Sequence, residues 1–363
     1  METQDLIYLL SCAVNGEAPD EARVAGMDLD AVYRLASRHT LAATVAPVLK
    51  AAGVTDQRFS KALEHSALKN AQMDMEMDAV FAALDAAGIW HMPLKGIVLQ
   101  HLYPVYGMRQ MSDHDILIDA GRAGDIRVIM ENLGFHTEHF GTSKHDVYYK
   151  PPVSNFQMHR TLFDVARDKK YEYFLDVPKR LLGEGYEKRL SPEDFYLYII
   201  AHEYKHYSSA GTGLRSLLDT YVYLQKEKLD MAYVTAEAEK LDMAAFEAAN
   251  RSLARHLFSG GELTADDKAL LEDILAAGTF GSQARRAERG IARNGGSKLR
   301  YALKRFLAPF DKNSNSYPRF VQKYPFFYRH KLFLPLLAFP LFFRAVKTGW
   351  LKTEVKAIKN AKT

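Results

Sequence analysis

Two aspartates in the string SDHDILID carry the most specific chemistry in this chain. Asp113 and Asp115 flank His114 and lead straight into the apolar, β-branched stretch Asp115–Ile118. On a strand, residues i and i+2 point to the same face, so both carboxylates converge on one spot at a sheet's end. Two oxygen anions that close repel unless a hard cation sits between them. That donor set suits Mg2+ (or Mn2+) carrying the phosphates of a nucleoside triphosphate. Upstream, Lys95-Gly96 lies where the short apolar segment Ile89–Leu94 gives way to LKGIVLQHLYP, which reads as a helix start. A glycine there permits close backbone approach, and free N–H groups at a helix N-terminus favour phosphate. Arg109 adds a guanidinium for a charge-assisted contact to the same phosphates.

A second pattern competes for attention. The stretch from His202 to His206 reads HEYKH, which satisfies H-E-x-x-H, the helical zinc motif of metalloproteases. On a helix, His202 and His206 share a face at i, i+4, and Glu203 stands where a general base would. A zinc site needs a third protein ligand. The longer metzincin pattern fails, because Ser209 replaces its glycine and Thr212 its third histidine. Asp219 and Glu227 are generic candidates without a supporting motif. The zinc reading therefore ranks last, and the histidines are expected either to pack within a helical domain or, with Lys205, Arg215 and Asp219, to border a nucleotide cleft.

The elements that must position these groups follow from periodicity. Residues 1–87 read as helices, including a long run from about Phe59 to Ala87 that stops at Gly88. The period then shortens, with strands expected at Ile89–Leu94, Asp115–Ile118, Gly134–Thr137 and Asp146–Tyr149 and an amphipathic helix at DIRVIMENLG. This alternation describes a small α/β module over residues 88–190. Helices resume at SPEDFYLYIIAHEYKH, with Ser191 as N-cap and Pro192 at the first helical position, and LRSLLDTYVYLQKE follows. The expected division is a helical segment 1–87, the module 88–190, a helical domain 191–284 and a basic C-terminal region 285–363.

Composition bounds the class. The chain has 363 residues, 48% hydrophobic and 25% charged, ordinary for a globular protein. A single cysteine, Cys12, excludes an internal disulfide framework and a cysteine-based zinc cluster, and makes a reducing cytoplasm the default compartment. The acidic N-terminus makes a poor signal peptide. The net charge of +4 hides an asymmetry. From Arg285 onward there are 19 Lys/Arg against Glu288, Asp311 and Glu354, so this region is near +16 and the rest near −12. Such an imbalance points to a polyanionic partner or a membrane surface. Within the same region, LFLPLLAFPLFF (Leu332–Phe343) is too short to span a bilayer, which takes about 20 apolar residues. It is expected to be a buried, proline-broken helix, with membrane-peripheral contact as the alternative. The aromatic-basic KYEYFLDVPKR reads as a packed and solvated face, since no nucleic-acid motif accompanies it.

Taken together, LKGIVLQHLYP…MRQMSDHDILI resembles an uncharacterised nucleotidyltransferase family of the polymerase-β-like superfamily. The resemblance continues through NFQMHRTLF, LSPEDFYLYIIAHEYKH…GLRSLLD and SYPRF…FFYRHKLFLP. It implies an α+β fold in which a small mixed-sheet nucleotidyltransferase module is embedded between helical domains. It also implies Mg2+-dependent transfer of a nucleotidyl group to an unidentified acceptor, with Asp113 and Asp115 as metal ligands. One position departs from the pattern. Superfamily members present a third carboxylate on a neighbouring strand, two residues before the position of His159, and Gln157 stands there. An amide offers an oxygen to a metal but is no base at neutral pH. Asp164 or Asp146 is a possible substitute. Without one, the chain is a slow transferase or a catalytically impaired nucleotide-binding or regulatory protein.

Overall fold

The computed structural model describes residues 1–141, 144–165, 169–279, 281–314 and 317–361. By internal contacts the chain divides into two compact units, Met1–Tyr204 with Gly213–Leu275, and Lys205–Thr212 with Ala276–Thr363. The fold is α+β, with a small mixed sheet set among many helices.

The sheet belongs to the first unit. Its strands are β1 (His91–Pro93), β2 (His114–Ile118), β3 (His136–His139), β4 (His145–Lys150) and β5 (Ser154–His159), in the order β1-β2-β5-β4-β3. Only β2 and β5 run parallel; the other three pairings are antiparallel. The four expected strands lie close to β1, β2, β3 and β4, and NFQMH forms β5. Two helices expected from periodicity cover one face: Gln57–Ala86 and Ala123–Asn132. Asp56 caps the first by accepting from the Arg58 N–H, and Gly88 ends it at φ 64, a left-handed turn that glycine adopts at little cost. Ile116, Ile118, Tyr148, Phe156 and Met158 project from the sheet into this layer as one buried cluster. Leu117 projects the other way and packs with Leu94, Phe163, Phe174 and Tyr198. With both faces covered, every residue of β2 is buried, as a central strand with a parallel neighbour requires.

The helices before and after the sheet are not separate layers. Leu6, Val45 and Leu49 from the N-terminal helices share one core with Leu217 of helix Leu214–Lys226 and Phe258 of helix Ala244–Phe258. Helix Pro192–Tyr207 begins as its sequence directs, with the Ser191 hydroxyl accepting from the Asp194 N–H at 3.1 Å. Glu203 on this helix is a core residue, 3% exposed.

The second unit has a small core of Ala287, Ile291, Tyr301, Ala357 and Ala361. Leu332–Phe343 departs from the burial expected of it. A 3-10 stretch Lys331–Leu337 carrying Pro335 leads into helix Ala338–Lys347, so the segment is proline-broken as expected. Leu337 is buried, but Leu332, Leu336, Phe339, Phe342 and Phe343 are all exposed. No residue of this helix is buried, and its phenylalanines stand outside. Among the described residues no single helix is long and apolar enough to cross a membrane.

Burial, with the nearby charge of Asp219, pushes the Glu203 carboxyl from the ordinary 4.5 up to about 8. A folded-state value above the unfolded one stabilises fully below the unfolded value and is lost as pH rises through the folded value. Glu203→Gln keeps the volume without the charge. The melting temperature of this variant relative to wild type should therefore climb by several degrees between about pH 5 and pH 8.5. A difference that is flat with pH would contradict the buried-acid reading.

Candidate active site

The parallel pairing of β2 with β5 sets Asp115 directly opposite Gln157, and Leu117 opposite His159. The polar side chains of β5 reach back along β2. Gln157 Nε2 donates to Asp113 Oδ2 at 2.5 Å, and His159 Nε2 meets Asp115 Oδ1 at 2.5 Å. Lys95 Nζ meets the other Asp115 oxygen, Oδ2, at 2.9 Å. Ser112 donates to Asp113 Oδ1 at 2.8 Å. Two hydrogen-bonded sets thus stand side by side, Asp115 with Lys95 and His159, and Asp113 with Gln157 and Ser112.

The two carboxylates are electrostatically unequal. Burial alone would raise Asp115, but the Lys95 ammonium and the His159 hydrogen bond outweigh it and hold Asp115 well below the usual carboxylate range. Burial and the charge of Asp115 instead push Asp113 upward. Burial lowers His159 to about 4 against the pull of Asp115, so its ring is neutral at pH 7 and donates its Nε2–H to an ionised Asp115.

Lys95 has a strained backbone, at φ 42 and ψ −112. Non-glycine residues rarely adopt this conformation, which costs about 1–3 kcal/mol and clusters at functional sites. The helix it opens, Gly96–Leu99, has only 4 residues before a 3-10 turn takes over. Gly96 is needed for packing: a Cβ there would lie 2.5 Å from Met111 Cε and 2.7 Å from Arg109 Nη1. This close approach within the chain, between Gly96 and the Arg109–Met111 segment, gives the glycine a packing role.

Arg109 forms a buried ion pair. Its Nε and Nη2 both meet Asp219 at 2.8 Å, a bidentate buried pair, and the Tyr103 hydroxyl donates to the same carboxylate at 2.8 Å. The pair ties the segment just before β2 to helix Leu214–Lys226. Arg215, on that helix, donates to the Gln110 carbonyl at 3.2 Å and exchanges electrostatic influence with Asp113.

Of the possible third carboxylates, Asp146 is excluded by strand parity. It sits opposite Met158, so it points to the face away from the aspartate pair, where it binds Arg160 at 2.8 Å. Asp164 lies in the loop after β5. His202 stands beside Tyr198, with ring centroids 6.4 Å apart, and the His206 carbonyl closes the turn at Ser209–Gly211. Among the described residues no set of three His, Cys, Asp or Glu side chains could hold a metal, which leaves His202 and His206 without a third ligand and the aspartates as a pair.

Sequence reasoning missed two contributors from the long helix. Lys69 donates to the Met111 carbonyl at 2.9 Å and lies within electrostatic reach of Asp113, and Asn70 donates to the Arg109 carbonyl at 3.1 Å. The available signal was a polar residue, Asn70, in a helical stripe with Ser66, Met73 and Met77, all of them buried.

With this geometry in view, comparison with known proteins is informative. A family model described as an uncharacterised nucleotidyltransferase matches residues 25–259, well over half of the chain. The chain belongs to that family. No curated protein and no solved structure matches it. The matched span of this nucleotidyltransferase includes the sheet, both aspartates, Gln157 and the helix carrying Asp219. It stops short of the basic C-terminal region.

Asp219→Asn would leave the Arg109 guanidinium buried without its counter-charge. Breaking one side of a buried pair costs about 3–5 kcal/mol, so urea unfolding of this variant should show a loss of that order. A loss under about 1 kcal/mol would mean that the pair is dispensable.

Proposed function

We propose that this nucleotidyltransferase transfers a nucleoside monophosphate from a nucleoside triphosphate, bound with Mg2+ at Asp113 and Asp115, to an acceptor. The observation that carries this reading is the register of β2 and β5. It sets two adjacent carboxylates on one face against the position where superfamily members hold a third.

The donor set fits one ion better than two. Mg2+ is commonly bound through one or two carboxylates, with the rest of its oxygen shell from phosphates and water. Asp113 and Asp115 meet that need, and the Gln157 amide can rotate to offer Oε1. A second ion would want the missing carboxylate. Bound there, Mg2+ would neutralise phosphate charge and orient the α-phosphate for in-line attack. Asp115, held ionised by Lys95 and His159, is ready to bind a cation without first losing a proton. Burial and the charge of Asp115 make Asp113 the more basic of the two ligands, and Gln157 cannot accept the acceptor's proton. Lys95, Lys69 and Arg215 supply positive charge for the triphosphate, and Arg109 acts by fixing the segment that carries Asp113.

A second reading, a nucleotide-binding protein with impaired catalysis, draws on the same network. The Gln157 amide donates a hydrogen bond to Asp113, and Lys95 already occupies Asp115. That arrangement is satisfied without a metal.

Calorimetry with each nucleoside triphosphate and Mg2+ should detect binding that weakens at least tenfold, about 1.4 kcal/mol, in Asp113→Asn/Asp115→Asn. Absence of binding to every nucleotide would sink both readings. Gln157→Glu restores a carboxylate and is expected to raise pyrophosphate release by at least about 100-fold, the low end for general-base catalysis. A fall in release would show that the amide itself serves the reaction.

A further inference from the structure

We propose that the second unit docks on the surface of an anionic lipid bilayer, with two helices laying exposed apolar stripes into the headgroup boundary. Helix Ala338–Lys347 exposes Phe339 (62%), Phe342 (56%), Phe343 (67%) and Val346 (53%), an i, i+3, i+4, i+7 stripe turned toward solvent. Helix Lys298–Leu307 repeats the arrangement, with Leu299 (80%), Leu303 (54%), Phe306 (65%) and Leu307 (44%) exposed. In a helix of a water-soluble protein this spacing marks the face that is buried. Here the buried face is the other one: Tyr301 of Lys298–Leu307 packs in the small core with Ala357, and Arg305 meets Glu354 at 2.9 Å. Contiguous apolar surface left outside in this way marks an interaction site.

Charge selects the occupant. The stripes are bracketed by Lys298, Arg300 and Lys304 on one helix and by Arg344 and Lys347 on the other, within the region of net charge near +16. Lysine and arginine around leucine and phenylalanine fit an anionic headgroup layer above hydrocarbon. A nucleic acid would match the charge but would leave Leu299, Leu303 and Val346 without an apolar environment, since it binds through phosphate contacts and stacking on aromatic rings.

Geometry selects lying over spanning. Helix Ala338–Lys347 has 10 residues, about 15 Å at 1.5 Å per residue, against a hydrocarbon core of about 30 Å. The pair Lys331–Lys347 and Trp350–Asn360 is bent by 82° and so makes no straight span. This docking is independent of the proposed transfer chemistry, because it uses none of the residues around Asp113.

Cosedimentation of the full-length protein with vesicles tests the proposal. Vesicles of phosphatidylcholine with about 30% phosphatidylserine should pellet the protein, and pure phosphatidylcholine should not. Binding should weaken as salt rises from about 0.1 M to about 0.5 M. Phe342→Ser/Phe343→Ser should lower the bound fraction at least tenfold. Arg344→Glu/Lys347→Glu, at exposed positions beside the phenylalanine stripe, should do the same, with an unchanged circular dichroism spectrum. Equal sedimentation with and without anionic vesicles, or variants that bind like wild type, would overturn the proposal. So would a dimer in sedimentation velocity that Phe342→Ser/Phe343→Ser dissociates without any vesicle binding, or capture by single-stranded RNA in place of vesicles.

Discussion

The register between β2 and β5 is the constraint on which the rest of the site depends, and its apolar side enforces it. Ile116, Ile118, Phe156 and Met158 point into one buried layer. Slipping either strand by one residue would turn these side chains out and drive Asp115 or Gln157 inward. Burying a side chain of that size is worth about 1.5–3 kcal/mol, so the slip would forfeit several such terms and bury a charge besides. The hydrophobic face therefore sets the polar one. Gln157 meets Asp113, and His159 meets Asp115, because four apolar neighbours leave no alternative register.

A second layer of constraint holds the segment that leads into β2. Gly96 lets Met111 and Arg109 approach the turn after β1, Arg109 locks onto Asp219, and Lys69 and Asn70 hold the backbone carbonyls between Arg109 and Ser112. These contacts join three parts of the chain that lie far apart in sequence: the long N-terminal helix, the sheet and the helix Leu214–Lys226. The carboxylates then face a rigid surround, and preorganisation of this kind is what electrostatic catalysis of phosphoryl chemistry asks of a scaffold. The opposite shifts of Asp113 and Asp115 follow from it. One carboxylate is bonded directly by a lysine and a histidine, while the other accepts from the neutral Ser112 and Gln157 and feels the charges of Asp115, Lys95 and Arg215 from further off.

Much of this was legible in the sequence because it rests on local rules. The D-x-D spacing, the shift from a period of 3.6 to short strands, Gly88 as a helix stop and Ser191 as a cap each needed only a few neighbouring residues. The resemblance of LKG…SDHDILI to its family supplied the rest of the module. What escaped is non-local. Nothing near Arg109 announces Asp219 as its partner, and nothing near Lys69 announces the backbone before β2. Parity eliminates Asp146, but only once its strand partner is known. The phenylalanines of Phe339–Phe343 were expected inside because composition does not reveal which side of a helix finds neighbours. Glu203, which stands in HEYKH where a general base would, is a buried acid in the helical core.

The central claim is that the aspartate pair, and not the histidine pair of HEYKH, holds the cation of the bound nucleotide. Anomalous diffraction from crystals soaked with Mn2+ and a non-hydrolysable nucleoside triphosphate tests it most directly. The account predicts one strong peak within about 2.2 Å of a carboxylate oxygen from both Asp113 and Asp115, with the Gln157 amide turned to present its oxygen. A peak at His202 and His206, or none at the aspartates under saturating Mn2+ and nucleotide, would contradict it.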